Sequence, residues 1–161
     1  MKDAGDGRGP SSHGFQEYRH MDKDERNTGR MRRFVEEVQN GARLELIDEL
    51  ISPSFRNHSA EPGQGDDREG VRTAVTRLHA AFSDFRVEVR SCVGEGDLVA
   101  THKVFRGRHT GEWSGIAPSG RPFAFEVMDL VRYRDGQQVE HWSVADALGF
   151  LRQTGAFPEH P

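Results

Sequence analysis

Side chains that could move a proton stand close together near the end of the chain. Asp146 closes the segment VEHWSVAD, which begins with the alternation of a strand, and His141 lies five residues before it. One carboxylate can remove a proton from a carbon beside a carbonyl and return it to an alkoxide when its pKa is raised towards the working pH. Apolar surroundings would raise the pKa in this way. The segment therefore suggests an acid/base at the end of a pocket, and an N-cap of the following helix is the alternative.

Histidine and asparagine side chains elsewhere could donate a hydrogen bond to an enolate oxygen. For His58 the alternative is a polar loop contact, and for His109 it is the fixing of a glycine-containing loop. His102 could face either side of its strand. His58 and His141 join Asp146 as candidate catalytic residues. No His-x-His or HExxH spacing occurs, so no metal site is expected. The candidates for contact with an enolate are Asn57, His58, His102, His109 and His141.

Apolar side chains on the strands around Asp146 should form the walls of such a pocket. Residues two apart share a face of a strand, which groups Trp142 and Val144 with Asp146. A core role is the alternative for Trp142. An oxyanion hole built on Tyr133 and a second acid is disfavoured, because Asp129 has the opposite strand parity. The expected walls and substrate contacts are Trp113, Phe125, Met128, Trp142, Val144 and Phe150.

The elements that must position these residues begin with helices. Apolar residues recur every three or four positions over residues 31–51, which predicts an amphipathic helical pair with a break at Asn40-Gly41. A polar loop begins at Ser52. A third helix is predicted over residues 67–82, with an aspartate as its N-cap. Residues 1–28 are rich in glycine and charge, which predicts a disordered or loosely docked tail before a single domain at 29–161.

Strands follow after the third helix. Alternating apolar and polar residues predict four antiparallel strands joined by hairpins, with a strong turn signal at Asp135-Gly136. Helices packed on a curved antiparallel sheet form an α+β cone, and the open end of a cone can hold an apolar pocket. The predicted strands cover residues 85–93, 98–109, 122–133 and 137–146.

Composition excludes several classes of function. The 161 residues carry a formal net charge of −4 and a pI near 6.1, which argues against nucleic-acid binding. Cys92 is the single cysteine, so neither an intramolecular disulfide nor a multi-cysteine metal site can form. No apolar run approaches the roughly 20 residues of a membrane span, and no secretory signal is evident. A soluble cytoplasmic protein is expected.

Four sequence motifs occur in order along residues 31–157. They are FRNHSA at 55–60, GDLV at 96–99, GRHTGEWSGIAPSG at 107–120 and RYRDGQQVEHWSVADALGFLRQTG at 132–155. Together they resemble the SnoaL-like polyketide cyclase family, also called ester cyclases, of the NTF2-like superfamily. The resemblance implies an NTF2-like cone, three N-terminal helices on a curved sheet, in agreement with the elements predicted above.

The resemblance also implies a reaction and an assembly. The reaction would be an intramolecular aldol-type ring closure, or an isomerisation, of a polyketide-like small molecule, without metal or cofactor, and Asp146 would occupy the general acid/base position. Cofactor-independent hydroxylation, hydrolysis or dehydration of an aromatic polyketide-type substrate is an alternative, as is non-catalytic ligand binding. A homodimer would form through the outer face of the sheet. The residues expected to make that face apolar are Val87, Val89, Val99, Thr101 and Val127.

Overall fold

A computed structural model describes residues 22–157, in which four helices pack on a curved, mixed five-stranded sheet. This arrangement confirms the predicted α+β cone. The elements in chain order are α1 (Lys23–Arg33), which continues as a π-helical segment (Phe34–Asn40), a 3₁₀ turn (Leu44–Leu46), α2 (Ile47–Leu50), β1 (Ile51–Asn57), α3 (Arg68–Ala81), β2 (Phe82–Glu95), β3 (Leu98–His109), β4 (Pro122–Arg134), β5 (Gln137–Ala145) and α4 (Ala147–Thr154).

Helix α1 begins before the predicted start of the domain. The side chain of Asp22 accepts a hydrogen bond from the backbone N–H of Lys23, and two acidic residues follow in the first turn, where the helix dipole favours negative charge. Residues 23–28 are therefore helical, and Asn27 is buried. The tail prediction for residues 1–21 and the domain prediction for residues 158–161 fall outside the described residues.

Strand β1 is the main departure from the predicted elements. Residues 51–57 were expected to end a helix and enter a polar loop, but they form an edge strand that pairs in parallel with β5. This strand forms because two distant segments of the chain pair with each other, and the local sequence pattern does not predict such pairing. Pro53 is compatible with the strand because an edge strand leaves N–H groups unpaired. The sheet is therefore mixed, in the order β1-β5-β4-β3-β2.

Other local predictions are confirmed. The π-helical segment ends at Asn40, and Ala42 turns the chain with a φ of 51°. Asp67 caps α3 by accepting a hydrogen bond from the backbone N–H of Gly70 at 2.9 Å. Asp135 and Gly136 have φ angles of 50° and 84°, as a type I′ hairpin turn requires. None of the helices in the described part of the chain is long and apolar enough to span a bilayer.

The residues that were expected to form an outer apolar surface lie on the inner face of the sheet instead, so this prediction was wrong. Val87, Val99, Thr101 and Val127 are buried under the helices, and Val89 packs against the same core. Strand alternation sends their neighbours outward. The exposed apolar side chains of β4 and β5 are instead Met128, Leu130 and Val144, with the half-buried Trp142 beside them, and these four residues are called the outer patch below.

Candidate active site

Two adjoining chambers lie between the inner face of the sheet and the helices. The outer chamber has a volume of about 240 Å³, and the inner chamber has a volume of about 100 Å³. Four aromatic side chains line the outer chamber: Phe105, Trp113, Phe125 and Phe150. Seven residues border both chambers and form the neck between them: Gln39, Asn57, Gln64, Ala74, Leu78, Asp129 and His141.

Asp129 carries the negative charge of the neck. Its side chain lies on the inner face of β4 and is almost fully buried. Its Oδ2 forms an ion pair with Nζ of Lys103, which lies on the inner face of β3 and is buried as well. The Lys103 ammonium also donates to Oε1 of Gln39 at 3.2 Å. Each charge is therefore compensated inside the core, as buried charges require.

His141 lies between Asp129 and Asn57. Its Nε2 is 2.9 Å from Oδ1 of Asp129, and its Nδ1 is 2.9 Å from Oδ1 of Asn57. The same Asn57 oxygen accepts a hydrogen bond from the backbone N–H of Ser59 at 3.0 Å, which identifies this oxygen as an acceptor. Nδ1 must therefore carry a hydrogen and donate it. Nε2 faces an acceptor as well, because the Asp129 carboxylate lies 2.9 Å away and accepts a hydrogen bond from it.

The parallel pairing of β1 with β5 creates this contact. Asn57 stands opposite His141 in the register, and the backbone N–H of His58 donates to the carbonyl of His141 at 2.8 Å. On the other side of β5, Ser143 stands opposite Asp129 on β4. The strand that local sequence did not reveal thus supplies the residue that orients the imidazole.

The electrostatics of the neck keep Asp129 ionised. Burial by itself would raise the pKa of Asp129, but the Lys103 ammonium and the hydrogen bond from His141 outweigh it and hold that pKa well below its usual range. An ionised carboxylate beside Nε2 stabilises the protonated imidazole. The neck can therefore hold a histidine that accepts a proton, next to a carboxylate that stays charged.

Four of the predicted site residues meet in the outer chamber, and Phe150, an expected wall, joins them. Asn57 and His141 form its polar floor, while Trp113 and Phe125 contribute to its aromatic wall. Trp113 packs on Phe82 with 5.0 Å between ring centroids, and the guanidinium carbon of Arg77 lies over the Trp113 ring, 5.5 Å from its centroid. These predicted residues therefore line one cavity, although they come from different strands and loops.

Asp146 lies outside this group. Its side chain is exposed, accepts a hydrogen bond from the backbone N–H of Gly149 at 2.8 Å, and does not border the outer chamber, although Ala145 and Ala147 do. The observed contact is that of the N-cap of α4, the alternative raised from the sequence. Alternation along β5 explains the placement, because it directs His141, Ser143 and Ala145 inward.

The same alternation places the expected pocket walls on the strand face of Asp146 outside the chamber, so they were predicted wrongly. Met128 is 52% exposed and Val144 is 75% exposed, so neither forms a wall. Trp142 stacks on His58 with ring centroids 4.6 Å apart and an interplanar angle of 7°. His58 in turn contacts Glu140 at 3.1 Å, away from the chamber lining.

The remaining histidines are also placed away from the chamber lining. His102 lies 3.4 Å from the carboxylate of the exposed Glu126, on the outer side of β3. His109 is fully buried between aromatic rings, and its Nδ1 is 3.3 Å from Oγ of Ser119. Its backbone bonds to Gly120 and Arg121, so His109 fixes its loop, as the alternative from the sequence had it. Among residues 22–157, no group of three or more His, Cys, Asp or Glu side chains is arranged to hold a metal ion.

Neither Lys103, which lies beside the neck, nor Asp129, which is part of it, was among the predicted site residues. Lys103 shares strand parity with Val99, Thr101 and Phe105, and Asp129 shares it with Val127 and Val131. A charge on the apolar face of a strand is unusual, and here two opposite charges occur on the apolar faces of consecutive strands. That coincidence was a usable signal for a buried ion pair.

The fold and the neck define a class of protein. A cone of helices on a curved sheet, with a buried polar network below an aromatic chamber, is an NTF2-like protein built around an internal cavity. The sequence profile of the SnoaL-like polyketide cyclases matches residues 29–154. The chain belongs to this family, which confirms the resemblance found in its motifs.

Individual relatives agree with this assignment. The chain is 32% identical to the nogalonic acid methyl ester cyclase of Streptomyces nogalater over 118 residues, which covers 72% of this chain and 88% of that protein. Among solved structures, TsrD from Streptomyces laurentii superposes with a TM-score of 0.77 at 29% identity, covering 86% of this chain and 100% of TsrD. IdmH from Streptomyces antibioticus superposes with a TM-score of 0.70 at 35% identity, covering 80% and 98%.

Proposed function

We propose that this protein closes a ring in a polyketide-derived small molecule by an intramolecular aldol-type step, with His141 as the acid/base and Asp129 as its charged partner. The observation that carries the proposal is the 2.9 Å contact between His141 Nε2 and Asp129 Oδ1 at the floor of an aromatic chamber. The similarity to a methyl ester cyclase supports the substrate class.

In this reaction one nitrogen, Nε2 of His141, takes up the proton in the first step and returns it in the last. For this reaction the His141 imidazole must be neutral, and its Nε2 must turn from Asp129 Oδ1, 2.9 Å away, towards the substrate. Nε2 then accepts the proton from a substrate carbon beside a carbonyl, and the C–H electron pair becomes an enolate. The enolate carbon attacks a second carbonyl of the same molecule, which forms the new C–C bond and an alkoxide. The imidazolium then returns its proton from Nε2 to the alkoxide. General acid/base help of this kind contributes about 10²–10⁴ in rate.

The neighbours of His141 support both halves of this cycle. Asn57 accepts the Nδ1 hydrogen and so fixes the tautomer in which Nε2 is basic. Asp129 stabilises the imidazolium after it has taken the proton, and Lys103 keeps Asp129 ionised. Asp129 and Lys103 are thus positioning residues, which do not need to touch the substrate.

The aromatic walls supply the orientation that ring closure needs. Phe125 contacts Phe105 in a tilted arrangement and Phe150 edge-on, with ring centroids 5.6 Å apart in each pair. Flat rings of a substrate can pack against such a wall. Holding an extended chain in a folded, near-attack geometry can contribute more to the rate than proton transfer.

Nogalonic acid methyl ester is the first substrate to test. Product formation is followed by chromatography and mass spectrometry, in which cyclisation leaves the mass unchanged while hydroxylation or dehydration changes it. We expect turnover without oxygen uptake, and a loss of about 10²–10⁴ in kcat for His141→Gln. His102→Gln is the matched control, because it removes an imidazole from the outer side of the sheet and should leave kcat within about twofold.

The Asp146→Asn variant decides between the two acid/base candidates. Asparagine is also a good N-cap, so this variant should retain both fold and turnover. An inactive Asp146→Asn together with an active His141→Gln would contradict the proposed role of His141 and support the role that the family resemblance gave to Asp146. Binding of the ester without any turnover would instead favour a ligand-binding protein.

A further inference from the structure

The inner chamber lies beyond the reacting groups when viewed from the outer chamber. Asp129 and His141 border both chambers, so a molecule that reaches from one to the other must pass the His141 imidazole. The far end of the inner chamber is closed by buried side chains of α1, its π-helical extension, β1 and α3. They include Met31, Phe34, Phe55 and Val75. The proposed mechanism makes no use of this space.

Apart from the neck residues, the lining of the inner chamber is apolar except for Lys103 and Gln138. Its apolar members are Met31, Phe34, Phe55, Val71, Ala74, Val75, Leu78 and Val131. Its polar members already have partners: Lys103 contacts Asp129 and Gln39, and the amide of Gln138 donates to the Tyr133 hydroxyl at 3.4 Å. A water inside a protein is held by two to four polar partners, and cavities lined by apolar groups stay empty or take apolar guests. An apolar group is therefore the better occupant.

The order of surfaces along the cavity specifies the shape of a ligand. The outer chamber offers aromatic walls, the neck offers the hydrogen-bonding groups of His141 and Asn57, and the inner chamber offers aliphatic and phenyl walls. An aromatic body, a carbonyl and an alkyl group in that order would match all three. We propose that the inner chamber is a subsite for a short alkyl substituent attached to the carbonyl that takes part in ring closure.

The chamber volume limits the length of that substituent. A water molecule takes about 30 Å³ of the liquid, and a methylene group is similar in size, so a space of about 100 Å³ holds about three carbon atoms. Burying one methylene group strengthens binding about fourfold. The affinity should therefore increase with chain length up to propyl and stop increasing at butyl.

A series of aryl alkyl ketones tests this subsite without any need for turnover. The probes are acetophenone, propiophenone, butyrophenone and valerophenone, which differ only by methylene groups, and Kd is measured by calorimetry. We expect Kd to fall about fourfold per carbon as far as butyrophenone, and to level off or rise for valerophenone. Failure of all four ketones to bind, or a Kd independent of chain length, would overturn the subsite.

Variants that fill or enlarge the inner chamber test whether the dependence of Kd on chain length arises there. Val75→Phe places a larger side chain in the inner chamber alone, and the three longer ketones should then bind no better than acetophenone. Val71→Phe, at a less buried position of the same chamber, serves if Val75→Phe does not fold. Phe55→Ala enlarges the chamber, so that valerophenone should become the tightest ligand of the series. Val93→Phe, on the exposed surface of β2, is the matched control and should keep the wild-type series.

The substituent subsite rests on the proposed function only for its statement about ring closure. If no substrate is turned over but the ketone series shows the expected pattern, the subsite stands and the proposed reaction fails. If nogalonic acid methyl ester is cyclised but Val75→Phe leaves the dependence of Kd on chain length unchanged, the reaction stands and the subsite is wrong.

Discussion

Lys103 and Asp129 form the buried ion pair on which the proposed chemistry of His141 depends. Their strands run antiparallel, and Thr101 stands opposite Asp129 while Lys103 stands opposite Val127, so the two charges meet on a diagonal of the inner face. Taking two charges out of water is costly, and only good geometry and further hydrogen bonds offset that cost. The hydrogen bonds to Gln39 and His141 supply this compensation. The pair is best explained by what it does to His141.

At this scale we predict that Asp129→Asn is strongly destabilising at neutral pH. It leaves Lys103 buried without a counter-charge, which costs about 3–5 kcal/mol in the free energy of unfolding. The pKa of Asp129 is lowered in the folded protein, so its stabilisation is present above its unfolded pKa of about 3.9 and is lost as pH falls towards the folded value. Urea unfolding should therefore show a gap between wild type and variant that narrows below about pH 4.

Two further variants control this prediction. Glu126→Gln removes a carboxylate from an exposed position of the same strand and should change the free energy of unfolding by less than about 0.5 kcal/mol. Lys103→Met combined with Asp129→Leu removes both charges and should recover much of the lost stability, without recovering turnover. A gap that stays constant from pH 7 to pH 3 would contradict the assigned role of the Asp129 carboxylate.

At the scale of the element, the start of α4 depends on a local arrangement between Asp146 and Gly149. The Asp146 carboxylate accepts the Gly149 N–H, and a Cβ built on Gly149 would lie only 2.0 Å from Oδ2 of Asp146. Glycine is needed there for close approach, while its φ is ordinary for a helix. The segment DALG therefore encodes a helix start by itself, and α4 places Phe150 in the aromatic wall of the outer chamber.

Removal of this cap should lower stability without affecting proton transfer. Asp146→Ala is expected to cost about 1 kcal/mol, which corresponds to a Tm lower by about 2–4 °C for a chain of this size. Asp146→Asn and Asp146→Ser should keep Tm close to that of wild type, because both residues cap helices. Scanning calorimetry measures the shift. An equal loss of Tm in all three variants would show that the charge, and not the cap, is what matters.

Strand alternation also acts at the scale of the element, because it determines which side chains of a strand face the helices. The sequence identified the strands of the hairpins and their ends closely, because alternation and the Asp135-Gly136 turn are local features. It could not tell which of the two alternating sets faces the helices, since Met128, Val144 and Trp142 are as apolar as Val127 and Val131. Choosing the set that contains Asp146 placed the predicted walls on the wrong side of the sheet.

At the scale of the whole molecule, the outer patch is the largest apolar feature left uncovered on β4 and β5 of the described chain. Leu130 stands opposite Trp142 and Met128 opposite Val144, so the four side chains form one continuous surface. A contiguous exposed apolar surface of this kind marks an interaction site. We propose that a second copy of the chain covers it and forms a homodimer, in keeping with the assembly implied by the family resemblance.

Light scattering after size-exclusion chromatography tests this assembly. The wild-type protein should elute with twice the mass of the chain, and Met128→Lys combined with Val144→Lys should give a monomer at micromolar concentration. Leu148→Lys replaces an exposed apolar residue on α4, away from the outer patch, and should leave the dimer intact. A wild-type monomer, or a dimer that withstands the double substitution, would contradict the proposed interface.

Local physics explains what the sequence by itself determined about this protein. Helix periodicity, strand alternation, caps and turns act between neighbours in the chain, so α3, the hairpin strands, the α+β class and the family could all be predicted. Tertiary structure decided how the residues of the candidate site are brought together. The pairing of β1 with β5 joins Asn57 to His141 across more than 80 residues, and the register of β3 on β4 brings Lys103 to Asp129. Such contacts depend on distances between remote segments, which no local pattern contains, and they moved the candidate acid/base from Asp146 to His141.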